Sequence, residues 1–396
     1  MKKIKVLRVI NRFNIGGPTY NATFLTAFLG PEYETMLVGG LPDVGESDSL
    51  YILEKYGVKP HLIEEMVRNP NVRNDWRAYK KLKTLINDFK PDIVHTHASK
   101  AGALGRKAAV ACGVPIIIHT FHGHVFHSYF GKMKTTLFKF IERRLAKRSD
   151  AIIAISEIQK NELTNEHKIC ERNKVHVVPL GFDLDPFNEK KYTERENTRF
   201  NYKITNDEVA IAIIGRLAPI KNHTYFLDVI EEILPLVKKR VKCFIVGDGG
   251  ERERIENRID RINEEHPNSM VLTSWIKDVG AFNAGMDIIC LTSKNEGTPV
   301  SLIEAQAGGI PVLTTDIGGV QDIVNDGDTG YIVPLENKKL YTERLKDLIQ
   351  NEKKRKKMSQ NGWNHVQDKF HFRTLVQNMD ELYRGLIEKK RNESNI

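Results

Sequence analysis

The stretch DIICLTSKNEGTPVSLIEAQAGGIPVLTT, Asp287–Thr315, reads as one complete strand–loop–helix–strand unit. Its ends, DIICLTS (287–293) and PVLTT (311–315), are short apolar runs of the kind that a parallel sheet buries on both faces. Between them Thr298 is expected to cap a helix whose first residue is Pro299, where a missing N–H costs nothing. Gly308-Gly309 ends that helix, with Pro311 beyond it. Glu296 then lies in the loop before the helix and Glu304 on its second turn. The free backbone N–H groups of Val300 and Ser301 form an anion seat between the two carboxylates, at the positive end of the helix dipole. Acids that accept hydroxyls on either side of a phosphate seat suit a sugar nucleotide, with Glu304 at a ribose and Glu296 at a sugar. A capped surface helix with two solvated acids is the competing reading.

The same alternation runs through the chain. Strands are expected at 4–10, 35–40, 61–65, 92–98, 115–121, 151–156 and 175–181. After a polar, charged stretch at Asn188–Asn206 they restart at 209–215, 241–247, 270–274, 287–293, 311–315 and 330–335. Helical patterns fill the gaps, at 18–29, 73–89, 101–111 and 129–147 among others. Nearly continuous apolar strands between helices predict parallel sheets covered on both faces, and two such blocks predict two doubly wound α/β domains. At 396 residues the chain also exceeds what one core commonly supports. Ligands in this architecture sit at the carboxyl ends of strands.

Several turns at those ends carry chemistry. Gly16 and Gly17 follow the first strand and allow close backbone approach to a ligand before a helix begins. In IIGRLAPIKN, Arg216 and Lys221 stand between a strand and a helix, where two cations can neutralise a diphosphate and the charge that grows as it leaves. GDGGER offers a further strand–glycine–helix turn whose spacing fails the dinucleotide fingerprint; Gly247 is assigned to the nucleotide-side rim. Trp275 and Ile276 could line a base, or simply pack. Histidines crowd HTH (His95, His97) and HTFHGHVFH (His119, His122, His124, His127). Either His122 or His124 is expected to face a ligand, and His119 to belong to a strand interior. No acid stands close by in sequence to complete a metal site, so none is expected. Asp183 and Asp185, a D-x-D, are read as linker.

Lys and Arg number 60 against 51 Asp and Glu, a formal net charge of +9, which favours an anionic partner. Cys112, Cys170, Cys243 and Cys290 are scattered, as expected of reduced cytoplasmic thiols. MKKIKVLRVI is too short and too interrupted for a signal peptide, and no run approaches a membrane span. In YFGKMKTTLFKFIERRLAKRS (129–149) cations outnumber a single acid, Glu142, and alternate with apolar residues. Such a helix can lie on anionic lipid, or be a core helix with a solvated basic face.

Taken together, NIGGP, HTFHGH, PLGFDLDPF, GRLAPIKN, VGDGGERE and EGTPVSLIEAQAGGIPVLTTDIGG occur in the order found in glycosyltransferase family 4, which the chain resembles over most of its length. The resemblance implies a GT-B fold: an acceptor-side Rossmann-like domain at 1–187, a nucleotide-sugar domain at 188–370, and a cleft between them. A helix at about 371–390 is expected to pack back on the first domain. It implies Gly17 near the phosphates, His122 near the donor sugar, Arg216 and Lys221 on the diphosphate, Glu296 on the sugar and Glu304 on the ribose. Thr298-Pro299 departs from the Phe-Gly of many members, which leaves that loop's phosphate contacts open. The implied reaction is retaining transfer, without a required cofactor, from a nucleotide sugar, by family frequency a UDP-sugar. The implied acceptor is a glycan or lipid-linked molecule in cell-surface polysaccharide assembly, and nucleic acid is not an expected partner. The expected location is the cytoplasm, with peripheral contact to the inner face of the membrane through 129–148. A nucleotide-sugar 2-epimerase, a metal-dependent hydrolase built on the histidines, and a non-catalytic sugar-nucleotide binder are the alternatives.

Overall fold

The computed structural model describes residues 2–14, 16–42, 49–67, 69–122 and 132–394. Among these, thirteen strands form two wholly parallel sheets. The first contains β1 (Ile4–Arg12), β2 (Tyr33–Gly40), β3 (His61–Leu62), β4 (Ile93–His97), β5 (Ile116–Thr120), β6 (Ala151–Ala154) and β7 (Val175–Val177), in the order β3-β2-β1-β4-β5-β6-β7. The second contains β8 (Glu208–Ile214), β9 (Arg240–Val246), β10 (Met270–Thr273), β11 (Ile288–Leu291), β12 (Val312–Thr315) and β13 (Gly330–Val333), in the order β10-β9-β8-β11-β12-β13. Each is a doubly wound Rossmann-like sheet. Its strand order reverses once, between β1 and β4 in the first and between β8 and β11 in the second.

Alternation along the strands explains why both faces are covered. Val6, Ile93, Ile118 and Ile153 pack on one side of the first sheet with Phe24 and Leu25 of helix Gly17–Ala27. Leu7, Val9, Val94 and Ile117 point the other way, onto helix Val72–Phe89. That helix starts because the Asn71 side chain accepts from Asn74 N–H at 3.0 Å, and it buries Ala78, Leu82, Ile86 and Phe89 at helical spacing. In the second sheet Ile211, Ile213, Ile245, Ile288 and Leu313 share one core with Phe226, Ile230 and Leu345.

The chain divides into two compact units, Met1–Phe182 with Phe370–Ile396, and Asp183–Lys369. Helix Phe372–Ser394 is part of the first. It seats Phe372, Leu375, Met379 and Tyr383 in the first sheet's core, and Lys390 pairs with Asp150 at 3.0 Å. The backbone of Phe182 bonds to Phe370 and Phe372 at 2.8 and 3.0 Å, which holds the two ends of the first unit's chain side by side.

The polar stretch after the first block is helical, over Asp185–Thr193 and Arg195–Asn201. Its charges are structural. Arg199 is buried and donates to the carbonyls of Gly285, Thr205 and Glu208 and to Asp287, while Arg195 pairs with Asp287 at 2.7 Å. Asp183 is the first residue of the second unit, and Asp185 begins its first helix.

Candidate functional site

The reversal between β8 and β11 sets the geometry of the second unit's site. Because these strands are neighbours, the loop carrying Arg216 and Lys221 lies beside the loop carrying Glu296. Lys294 N–H donates to Ile220 C=O at 2.8 Å, and Thr292 Oγ1 donates to Asn222 C=O at 3.1 Å. Asn222 adopts the left-handed conformation (φ 55°) that turns the chain into helix His223–Ile233. Lys221 Nζ pairs with Glu296 Oε1, and Ser293 Oγ donates to the same oxygen at 2.6 Å. Ser293 is itself fixed, since its carbonyl accepts from Thr315 Oγ1 at 2.8 Å. Glu296 Oε2 has no hydrogen-bond partner among the described residues.

Below Glu296 runs a second glycine pair that the sequence reading quoted without a role. Gly318 has φ +51°, and a Cβ there would lie 1.7 Å from Glu296 C=O; a Cβ on Gly319 would lie 2.3 Å from Gly297 C=O. Only glycine allows this approach. A strand-end Gly-Gly was the available signal. Gly247 does similar work under β8. It is buried at φ +145°, and a Cβ would lie 2.0 Å from Gly215 C=O.

Helix Val300–Ala307 differs from expectation at its start. Pro299 is the N-cap residue, one position later than predicted, and no side chain caps the helix; Thr298 does not do so. The reason is that the extended backbone at Pro299 (ψ 97°) already makes the turn, with Leu302 N–H bonding Pro299 C=O at 3.1 Å. Val300 and Ser301 N–H groups therefore have no hydrogen-bond partner among the described residues. The helix ends as expected, with Gly309 at φ +68° and Ile310 N–H on Ala305 C=O at 2.9 Å. Glu304 makes no side-chain hydrogen bond or ion pair among the described residues, and burial pushes its carboxyl up to about 8. A carboxyl desolvated without a partner is what hydroxyl donors would satisfy. Arg216 is exposed and without an acidic partner among the described residues. Trp275 stands 57% exposed after the edge strand β10, and Ile276 is half-buried.

In the first unit, Gly16 caps helix Gly17–Ala27 in an extended conformation, and Gly17 packs against Leu180. His119 is buried in β5 over Gly102, as its strand position implies. His97 Nδ1 and His122 Nε2 are 2.9 Å apart, and the rings of His95 and His97 have centroids 4.2 Å apart. His95 is bonded at both nitrogens, to Tyr383 Oη and Thr120 Oγ1, each at 2.7 Å. Burial holds His95, His97 and His119 well below the usual imidazole range, and pushes His122 down to about 3. The rings of His95, His97 and His122 are neutral and lie ring against ring in sequence, whereas His119 bonds Thr96 Oγ1 at 2.8 Å. Among the described residues no group of three or more His, Cys, Asp and Glu side chains is placed to hold a metal ion. His124, the alternative to His122, lies outside the described residues, as does His127.

Two family models match this chain: "Glycosyltransferase Family 4" over residues 38–186 and "Glycosyl transferases group 1" over residues 194–365. Fold, strand-end loops and these matches define a GT-B glycosyltransferase. The chain belongs to glycosyltransferase family 4. It is 27% identical over 335 residues (84% of this chain, 85% of the relative) to the UDP-Gal:α-D-GlcNAc-diphosphoundecaprenol α-1,3-galactosyltransferase of Escherichia coli. It is also 27% identical over 343 residues (85% and 88%) to a capsular polysaccharide biosynthesis glycosyltransferase of Staphylococcus aureus. The fold is shared with a solved glycosyltransferase of Rickettsia africae (TM-score 0.79, 20% identity, 98% and 99% coverage). It is shared as well with the Anabaena protein HepE solved with UDP (TM-score 0.75, 18% identity, 97% and 100% coverage).

Proposed function

We propose that this glycosyltransferase transfers a sugar from a UDP-sugar, with retention of anomeric configuration, to a glycan or lipid-linked acceptor in cell-surface polysaccharide assembly. The observation that carries the reading is the Lys221–Glu296 pair at the β8/β11 reversal, beside the unpartnered N–H groups of Val300 and Ser301. Arg216, Lys221 and those N–H groups bind the diphosphate. Glu304 accepts the ribose hydroxyls, Glu296 Oε2 accepts a hydroxyl of the transferred sugar, and Trp275 and Ile276 face the base. In the first unit, taken by itself, Gly16, Gly17 and His122 are the residues we assign to substrate contact.

In this reaction the C1–phosphate oxygen bond breaks and a C1–acceptor oxygen bond forms on the same face. The acceptor's proton passes to the departing diphosphate. Charge builds on the leaving oxygens, and the two cations with the helix N-terminus stabilise it in place, which lowers the barrier without a side-chain nucleophile. No residue of the set requires a metal for this chemistry. UDP as the nucleotide finds support in the HepE complex and in the donor named for the E. coli relative.

A lipid-linked acceptor finds support in helix Lys132–Lys147. Glu142 is buried in a 2.6 Å pair with Arg106, so its charge is withdrawn from the helix surface. Leu137 and Phe140 are 58% and 48% exposed, and Arg144, Lys147 and Arg148 continue the same exposed stripe. Apolar residues followed by cations along one face suit an anionic bilayer surface. No described helix is long and apolar enough to cross a membrane.

Turnover of UDP-sugars by Lys221→Ala and Glu296→Ala tests the reading. Each change should lower kcat by roughly 10²–10³-fold while the melting temperature stays near that of the wild type. Near-normal turnover in both variants would refute the site.

A further inference from the structure

We infer that Ser293 is a positioning residue: its hydroxyl sets the direction of the Glu296 carboxylate, while Lys221 supplies the opposite charge. The inference deepens the glycosyl-transfer reading above and rests on it for what Glu296 and Lys221 touch. Ser293 stands two residues past the end of β11 and is fully buried. Its backbone is tied on two sides. Its own C=O accepts from Thr315 Oγ1 at 2.8 Å, and Thr315 is the buried last residue of β12. The preceding residue, Thr292, donates through Oγ1 to Asn222 C=O at 3.1 Å, in the loop that carries Lys221. Ser293 is therefore a fixed point between two strand ends and the cation loop.

From that point Ser293 Oγ reaches Glu296 Oε1 at 2.6 Å, its one side-chain hydrogen bond among the described residues. Lys221 Nζ pairs with the same oxygen. A carboxylate paired with an ammonium only accepts, so the Ser293 hydroxyl is the donor. The two holds differ in kind. The lysine ammonium is a point charge on a flexible four-carbon stem, with three donors that turn to any anion in reach. In the reading above it also serves the diphosphate, so its pull on Glu296 is shared once the nucleotide sugar enters. The serine has one donor on a short side chain with a single carbon torsion, and no second acceptor among the described residues competes for it. Direction therefore comes from Ser293. Both holds engage Oε1, which leaves the acceptor capacity of Oε2 to a substrate hydroxyl. Gly318, packed under the Glu296 C=O, fixes the main chain, and Ser293 fixes the side chain. The competing role is loop closure, since a bond between residues three apart can simply hold the turn together. Such a bond would act on stability, whatever group Glu296 touches.

A double-mutant cycle on the full chain separates the two roles. The readout is hydrolysis of whichever of UDP-glucose, UDP-galactose and UDP-N-acetylglucosamine the wild type turns over fastest, followed as UDP released. Ser293→Ala should lower kcat roughly 10- to 100-fold, because a misdirected carboxylate no longer meets the reacting sugar. Its affinity for UDP, which lacks that sugar, should stay within about threefold of the wild type. Added to Glu296→Ala, the same change should alter kcat by less than about twofold, since the hydroxyl then has nothing to direct. Thr315→Val keeps the shape of the β12 end but removes the bond to Ser293 C=O, and should lower kcat by a smaller factor. Losses that multiply in the double variant would overturn the inference in favour of loop closure. Wild-type turnover by Ser293→Ala beside a crippled Glu296→Ala would overturn it too, and would leave the glycosyl-transfer site standing. Near-normal turnover by Glu296→Ala would instead overturn that site. If the wild type hydrolyses none of the three, crystal structures of the wild type and Ser293→Ala decide the point. The Glu296 carboxylate should leave its wild-type position in the variant, and an unmoved carboxylate would overturn the inference.

Discussion

Glu304 and Glu296 show how two acids on one segment acquire different chemistry. Glu296 is held by Lys221 and Ser293, while Glu304 is desolvated with no partner and its carboxyl rises to about 8. The sign of the consequence follows. Below about 4.5 the carboxyl is protonated in both folded and unfolded chains and contributes no pH dependence. Between about 4.5 and 8 the folded chain keeps a proton that the unfolded chain has released, so stability falls as pH rises through this window. Glu304→Gln removes that loss, and its melting temperature relative to wild type should increase from pH 5 to pH 8. A constant difference across the range would contradict the assignment. Because ribose hydroxyls favour the ionised acid, UDP binding at pH 7 should release a proton. Calorimetry in buffers of different ionisation enthalpy measures it, and the release should vanish in Glu304→Gln.

At the scale of elements, helix Val300–Ala307 and the loop under it act together. The sequence made the helix legible through its glycine stop, and made Glu296 and Glu304 legible through their spacing. It did not reveal that Pro299 rather than Thr298 caps the helix, because local propensity ranks Thr as a cap and the backbone turn at Pro299 needs no side chain. Nor did it reveal the supports of Glu296. Ser293 and Thr315 stand at the ends of different strands, and their bonds form only when β11 and β12 pair. Gly318 belongs to the same class of contact. Gly318→Ala must push a Cβ into Glu296 C=O at a positive φ, which costs more than about 1 kcal/mol and displaces the carboxylate. The expected result is a lower melting temperature together with a large fall in kcat. Wild-type kcat in this variant would mean that the glycine pair does not set the Glu296 loop.

At the scale of the whole chain, both sheets were readable from alternating apolar runs, since parallel strands buried on two faces leave a strong pattern. The charged segment 188–206 was not, because its helices owe their place to buried Arg199, and burial of an arginine has no signature in one sequence. The same holds for Arg8 and for His95, both of which bond Tyr383 of helix Phe372–Ser394, hundreds of residues away. Removing 371–396 should expose Val6, Ile118 and Ile153, giving a chain that binds a hydrophobic dye and aggregates; a soluble, dye-negative truncation would contradict the packing. For the basic helix, the double change Leu137→Asp with Phe140→Asp should abolish co-sedimentation with vesicles containing anionic lipid. Wild-type binding that ignores lipid charge would remove the membrane proposal. The most direct measurement of the central claim is a crystal structure of the chain soaked with UDP. The diphosphate should lie within hydrogen-bond reach of Lys221, Arg216 and the N–H groups of Val300 and Ser301, with the ribose on Glu304; a nucleotide bound away from the β8/β11 reversal would contradict it.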